Sequence, residues 1–236
     1  MIQRRLFYDL QRNYDMIVTL SQGAVQDFHK LCPSTPREKV VCIPNCTHYD
    51  VKPEECYTKR KRVLYVGRME NFSKGVDKLL RVWSRVESVM DGWDLHLIGA
   101  GQDLEYNINL ASRLRIKRCV FHGECNPLPY YQESSIICLT SHYEGFGMVI
   151  LEAMQYGCVP IAFGTYPAIY DLIKHQENGF IVPPFNEQAY AETIMNLMRN
   201  KELREGMAKR CVRHSLKFAP DEFSNQWHDL ILKMMQ

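Results

Sequence analysis

The sequence predicts an α/β fold, a doubly wound parallel sheet wrapped by helices, and three observations predict it. From residue 62 onward, short apolar runs alternate with stretches of helical period, as strands joined by helical crossovers do. Those helical stretches carry apolar stripes wide enough to be core faces. The chain of 236 residues, 46% hydrophobic and 24% charged, has the size and composition to bury a substantial core.

Six strands are expected, at 62–67 (RVLYVG), 94–99 (DLHLIG), 119–123 (CVFHG), 136–140 (IICLT), 159–163 (VPIAF) and 180–182 (FIV). Between the first two, Val76, Leu79, Leu80, Trp83 and Val86 recur at helical spacing; Tyr190, Ile194, Leu197 and Met198 do so after the last. Pro220 suits the first turn of a closing helix whose apolar face would carry Phe223, Trp227, Leu230, Ile231 and Met234. The first 50 residues behave differently. MIVTLSQGAVQDF (16–28) reads as a strand, a turn at Ser21 and a helix, and VVCIPNCTHYD (40–50) as a strand running into a loop. One such βα unit leaves most of its apolar surface wet, so it must dock on something. Residues 51–61, polar and holding one proline, read as a linker, which divides the chain into 1–50, 51–61 and 62–236.

Bulk charge excludes some functions. A formal net charge of +2 announces no nucleic-acid surface, so anion binding must be local. Nine cysteines, odd in number, scattered and without a CxxC pair, read as reduced thiols of a cytoplasmic protein. Cys119, His122 and Cys125 invite a zinc reading, but no further ligand pair follows at metal spacing, and no metal is expected. Asn45-Cys-Thr47 and Asn71-Phe-Ser73 match the glycosylation sequon, which carries little weight in a chain with no signal segment. No stretch approaches membrane-spanning length, so the expected location is the cytoplasm, or the inner face of a membrane as a peripheral protein.

In a doubly wound sheet, ligands bind beyond the carboxyl ends of the strands, and three ends are informative. Arg68 comes after the first strand, and Lys74-Gly75 opens a helix a few residues on. Two cations and helix N-terminal amides make a phosphate cradle, against the common alternative of two solvated charges. Gly99 and Gly101 after the second strand are half of a dinucleotide fingerprint; Leu104 replaces the third glycine and no ribose-binding acid follows. A nicotinamide cofactor is therefore rejected. The fourth strand runs into SHYEGFGMVILEA (141–153), where a helix starting near Gly147 would present the amides of Phe146, Gly147, Met148 and Val149 at its positive end. Glu144 precedes that helix and Glu152 interrupts its apolar run. One ligand could touch both, a carboxylate accepting from two vicinal hydroxyls suiting a ribose; or the pair could act as acid and base of a glycoside hydrolase, or Glu152 could only cap or salt-bridge within the helix.

Taken in order, VGRMENFSKG, LIGAGQ, VFHG, SHYEGFGMVILEAMQYGCVPIAF and ENGFIVPP resemble the donor-binding domain of glycosyltransferase family 4, retaining enzymes of the GT-B fold with two Rossmann-like domains. The likeness runs from about residue 40 to the C-terminus, and EGFG followed by Glu152 is its most specific part. It implies a retaining hexosyltransferase that uses a nucleotide-diphosphate sugar without cofactor or metal. The donor site would hold the ribose on Glu152 and the diphosphate on Arg68 and Lys74, with the amides of Phe146, Gly147, Met148 and Val149 offered to sugar and phosphate and Glu144, the catalytic residue, holding the hexose hydroxyls and facing the reacting carbon. Backbone at His122 would meet the base. Transfer would proceed on the leaving-group side to a glycan or lipid-linked acceptor. Ala168 in GTYPAIYDLI stands where the family commonly has an acid. The resemblance also implies a preceding acceptor domain on the order of 150 residues, of which residues 1–50 would be the last unit, or a partner chain supplying it. Residues 220–236 would pack back on that domain, and exposed helix faces at both ends would favour a homodimer. A nucleotide-sugar-binding module without transferase activity of its own is the second reading. A glycan-degrading enzyme is disfavoured by the cationic cradle.

Overall fold

The computed structural model describes residues 2–47, 49 and 59–235. A small N-terminal unit comes first, with α1 (Ile2–Asn13), β1 (Ile17–Thr19), α2 (Gln22–Leu31) and β2 (Val40–Cys42). The two strands pair in parallel, and Phe28 of α2 meets the edge of Phe7 of α1 at 5.0 Å between ring centres. Ser21 caps α2 by accepting the Ala24 N–H at 3.1 Å. The helix α1 is not among the elements expected from the sequence.

The remaining strands form one six-stranded parallel sheet: β3 (Arg60–Val66), β4 (Asp94–Ile98), β5 (Cys119–Phe121), β6 (Ser134–Leu139), β7 (Val159–Phe163) and β8 (Phe180–Val182). All six expected strands are present, with β3 and β6 each starting two residues early. The order β5-β4-β3-β6-β7-β8 is 3-2-1-4-5-6 when counted from the sheet's own first strand. That is the doubly wound order, whose direction reverses between β3 and β6 and opens a crevice at their carboxyl ends. Alternate side chains serve opposite faces. Tyr65, Leu97 and Cys138 join the core beneath α4 (Val76–Glu87), α5 (Leu104–Arg113) and α9 (Glu187–Arg199). Leu64, Ile98 and Leu139 join the core beneath α6 (Leu128–Glu133), α7 (Met148–Gln155) and α8 (Ile169–Leu172).

The stripe read from α4 is its buried face: Val76, Leu79, Leu80, Trp83 and Val86 have no exposed surface. Each contributes on the order of 1.5 to 3 kcal/mol by leaving water. Trp83 also places its indole N–H on the Arg118 carbonyl at 3.1 Å, so its polar end is not stranded. After α9 a second helix, α10 (Lys201–Ser215), restarts at Asn200, whose side chain accepts the Leu203 N–H. Pro220 opens α11 (Pro220–Met234). Of its expected apolar face only Leu230 is buried, while Ile231 and Met234 stay 52% and 53% exposed. The expected linker lies outside the described residues up to position 58, and Arg60 and Lys61 already belong to β3.

The N-terminal unit docks on the sheet's α7–α8 side. The first amide of α2, from Gln22, donates to the Asp171 carboxylate at 2.8 Å, and the Thr47 N–H donates to the Phe218 carbonyl at 2.8 Å.

The loops leaving β3 and β4 are laced together. Gly67 N–H donates to the Ile98 carbonyl, Met69 N–H to Ala100 and Asp103 N–H to Met69, all within 3.0 Å. Gly99, at φ +131°, lies so near that a Cβ there would sit 2.0 Å from the Gly67 carbonyl oxygen. Replacing Gly99 by Ala is therefore expected to lower unfolding free energy by about 2 kcal/mol or more. Gly145→Ala, where a Cβ meets nothing within 4 Å, should change it by less than about 0.5 kcal/mol. Denaturant unfolding of the two variants measures the contrast.

Candidate functional site

The loop between β3 and α4 fixes the first cation. A short helix, α3 (Asn71–Lys74), ends at Gly75, whose φ of +63° is left-handed. A Cβ at Gly75 would lie 2.4 Å from the Thr140 carbonyl oxygen, so only glycine lets this turn rest on the end of β6. Thr140 returns the contact by donating its hydroxyl to the Gly75 carbonyl at 2.9 Å. Lys74 is thereby set beside the loop after β6, and its Nζ donates to Glu144 Oε1 at 2.7 Å. The same oxygen accepts the Ser141 hydroxyl at 2.7 Å. With side chains only 17% and 13% exposed, Lys74 and Glu144 form a largely buried pair. For fully buried pairs, loss of one partner costs on the order of 3 to 5 kcal/mol; residual solvent contact lowers that here.

Two of the amides expected to form a cradle around Gly75 are already used. Gly75 N–H donates to the Asn71 carbonyl and Asp77 N–H to the Asn71 side chain, each near 3.0 Å. Arg68 is held by its backbone rather than its side chain: Tyr65 donates its hydroxyl to the Arg68 carbonyl at 2.9 Å. The guanidinium stays 72% exposed, 3.4 Å from Glu70.

At the other wall, Gly147 caps α7 at φ +97°, and a Cβ there would come within 2.5 Å of the Tyr166 hydroxyl. Phe146 anchors the turn with a buried ring set edge-on to Phe218 at 5.9 Å. Ile150 N–H returns to the Gly147 carbonyl at 2.9 Å. Among the described residues, the N–H groups of Phe146, Gly147, Met148 and Val149 have no hydrogen-bond acceptor. These amides sit at the positive end of the helix dipole.

Arg68, Lys74, Glu144, Phe146, Gly147, Met148 and Val149 therefore line one cavity of about 300 Å³ at the crevice between β3 and β6. Leu20 and Asn45, just beyond the ends of β1 and β2, complete its wall from the N-terminal unit. Ligand-binding residues are expected at strand exits, and that rule finds these two as well once it is applied to the first 50 residues. Ser141 and Tyr166 carry no spacing signal and emerge only from the packing. Tyr166 is buried, and its hydroxyl has no hydrogen-bond partner among the described residues. Burial, then the charge of Glu144, holds that phenol well above its ordinary range.

Glu152 is not part of that lining. It is 8% exposed on α7 and accepts the Tyr131 hydroxyl on Oε2 at 2.7 Å. His122 lies at the end of β5, where its backbone N–H donates to the Leu97 carbonyl at 2.9 Å. Its ring joins a chain in which His122 Nδ1 lies 3.0 Å from the Tyr130 hydroxyl and Nε2 lies 3.0 Å from His96 Nδ1. With both rings neutral each contact can have one donor and one acceptor, the direction being set by the ring tautomers. Burial first, then Arg62 and His122, brings His96 down to about 4, and burial and Arg62 lower His122 as well.

The family of this chain is shown by matched sequence over the same region. Residues 50–212 match the family described as glycosyl transferases group 1, and the chain belongs to it. An uncharacterized glycosyltransferase of Haemophilus influenzae is 29% identical over 219 residues, covering 92% of this chain and 61% of the relative. The amylovoran biosynthesis glycosyltransferase AmsD of Erwinia amylovora is 26% identical, covering 73% of this chain and 48% of its own. The chain thus spans about half to three-fifths of the length of these relatives. Two solved structures share the fold: Anabaena HepE in complex with UDP (TM-score 0.86, 19% identity, covering 98% of this chain and 68% of that one) and S. aureus TarM in complex with fondaparinux, alpha-GlcNAc-glycerol and UDP (TM-score 0.85, 19% identity, covering 98% and 46%).

The histidine chain has a pH signature. With a folded value near 4 against 6.5 for the free side chain, His96 takes up its proton in the unfolded state first. Its stabilising effect is complete above pH 6.5 and is lost as pH falls towards 4. Wild-type stability should therefore fall more steeply than that of His96→Gln across this window, as thermal melts at matched ionic strength would record.

Proposed function

We propose that this chain is the donor-binding half of a retaining glycosyltransferase that moves a hexose from a nucleotide-diphosphate sugar to a glycan or lipid-linked acceptor. The observation that carries this reading is the convergence on one crevice of two cations and four amides that have no acceptor among the described residues. A diphosphate is the ligand whose charge and acceptor geometry suit such a set. The amides of Phe146, Gly147, Met148 and Val149 receive the phosphate and sugar oxygens. Lys74, with one N–H on Glu144, has two more to offer the diphosphate. Arg68, exposed and on a flexible stem, closes over it. Together these cations stabilise the charge developing on the leaving diphosphate, the role for which a metal is not required.

Both hydrogen bonds described for Glu144 fall on Oε1, so its carboxylate can be held in place while Oε2 meets a hexose hydroxyl beside the reacting carbon. Glu152 takes the ribose diol, and the His122 carbonyl the base. The acceptor hydroxyl approaches from the leaving-group side, its oxygen bonding to the anomeric carbon as the diphosphate departs with the bond electrons and takes up the hydroxyl proton. Residues 1–50 close an acceptor-binding domain, residues 62–236 form the donor domain, and α11 packs back on the former. Support for the nucleotide comes from the relatives' folds, two of which were solved with UDP.

Calorimetric titration with UDP, GDP and ADP and their hexose conjugates, without added metal, tests the reading. One nucleotide should bind selectively, and Arg68→Ala should weaken it at least roughly tenfold, the loss of a charge-assisted bond. Equal affinity of the wild type and Arg68→Ala for the diphosphate would remove the cradle from this site.

A further inference from the structure

We propose that Tyr131 is a positioning residue for nucleotide recognition, its hydroxyl orienting the Glu152 carboxylate towards the ribose diol. The inference rests on the proposed donor site, in which Glu152 binds that diol.

A carboxylate buried on α7 needs a donor, and Tyr131 supplies one from a neutral group, with a bond of 2.7 Å to Oε2. Burial, then the charge of Glu152 itself, keeps the phenol far above its ordinary range, so the hydroxyl stays a donor at every working pH.

The donor is also held rigidly. The Tyr131 ring has no exposed surface, lies parallel to Tyr156 at 11° and 6.4 Å, and meets the edge of Tyr49 at 6.3 Å. Its backbone is clasped too. Lys59 Nζ donates to the Tyr131 and Gln132 carbonyls at 2.8 and 2.9 Å, closing the last turn of α6, and the Cys158 thiol donates to the Tyr131 carbonyl at 3.1 Å. A long ammonium and a buried thiol thus meet on one carbonyl near the end of α6, tying it to the chain entering β3 and to that entering β7.

The test uses the full chain and two kinds of ligand: UDP, GDP or ADP, whichever binds, and its 2′,3′-dideoxy counterpart. The wild type should prefer the ribonucleotide. Tyr131→Phe should lose roughly tenfold in affinity for the ribonucleotide, about one hydrogen bond to a charged group, while its affinity for the dideoxy ligand stays unchanged. In a Glu152→Gln background the same substitution should cost less than about twofold, because the oriented charge is already gone. A structural role alone would move both ligands together, and that result, or a retained preference in Tyr131→Phe, overturns the positioning role while leaving the ribose reading intact. A wild type that binds none of the nucleotides, or shows no preference for the ribose hydroxyls, overturns the ribose reading and this inference with it.

Discussion

At the carboxyl ends of β3, β4 and β6 the chain passes so near itself that several glycines, Gly75, Gly99 and Gly147 among them, have no room for a methyl group. Gly99 abuts the Gly67 carbonyl, Gly75 the Thr140 carbonyl and Gly147 the Tyr166 hydroxyl. Everything in the cavity depends on these approaches. The first sets the path of the loop bearing Arg68, the second carries Lys74 across to Glu144, and the third turns the start of α7 so that its amides face the crevice. The charged side chains are thus placed by backbone contacts rather than by their own attractions. That order of causes suits a site built to receive an anion, since the cations keep bonding capacity in hand.

The Lys74–Glu144 pair shows the balance involved. Two opposite charges in a nearly dry crevice gain from each other but lose solvation, and the net worth of such a pair is small compared with the cost of leaving one alone. Ser141 gives Glu144 a neutral second donor at the same oxygen. Glu152 is provided for in the same manner by Tyr131. Both acids have a hydroxyl donor at hand.

Much of this is legible in the sequence because it is periodic or sits beside a strand. The six strands, the buried stripe of α4 and the cap at Gly147 are implied by apolar period and glycine placement. Arg68, Lys74 and Glu144 are marked by their places at strand exits. The features that escape the sequence do so for physical reasons. In α10 only Met207, Cys211 and Ser215 are buried, which leaves too few apolar positions for a stripe. In α1 only the beginnings of an apolar face exist, completed by Phe28 from another element. The Asn71 cap that consumes the Gly75 amides comes from a side chain whose position depends on α3, a helix of four residues. Tyr131 sits in a six-residue helix with a neighbouring tyrosine, and nothing in LPYYQE says which of the two turns inward.

The central claim is that the diphosphate lies on the amides at the start of α7, opposite the loop after β3. Amide hydrogen exchange, measured with and without a saturating nucleoside diphosphate, tests it most directly because those four N–H groups have no acceptor of their own among the described residues. The expected result is slower exchange confined to residues 66–69 and 145–152. Protection that instead appears around Gly23, Thr165 and Asp171, which line a separate cavity between α2 and α8, with residues 145–149 unchanged, would contradict it.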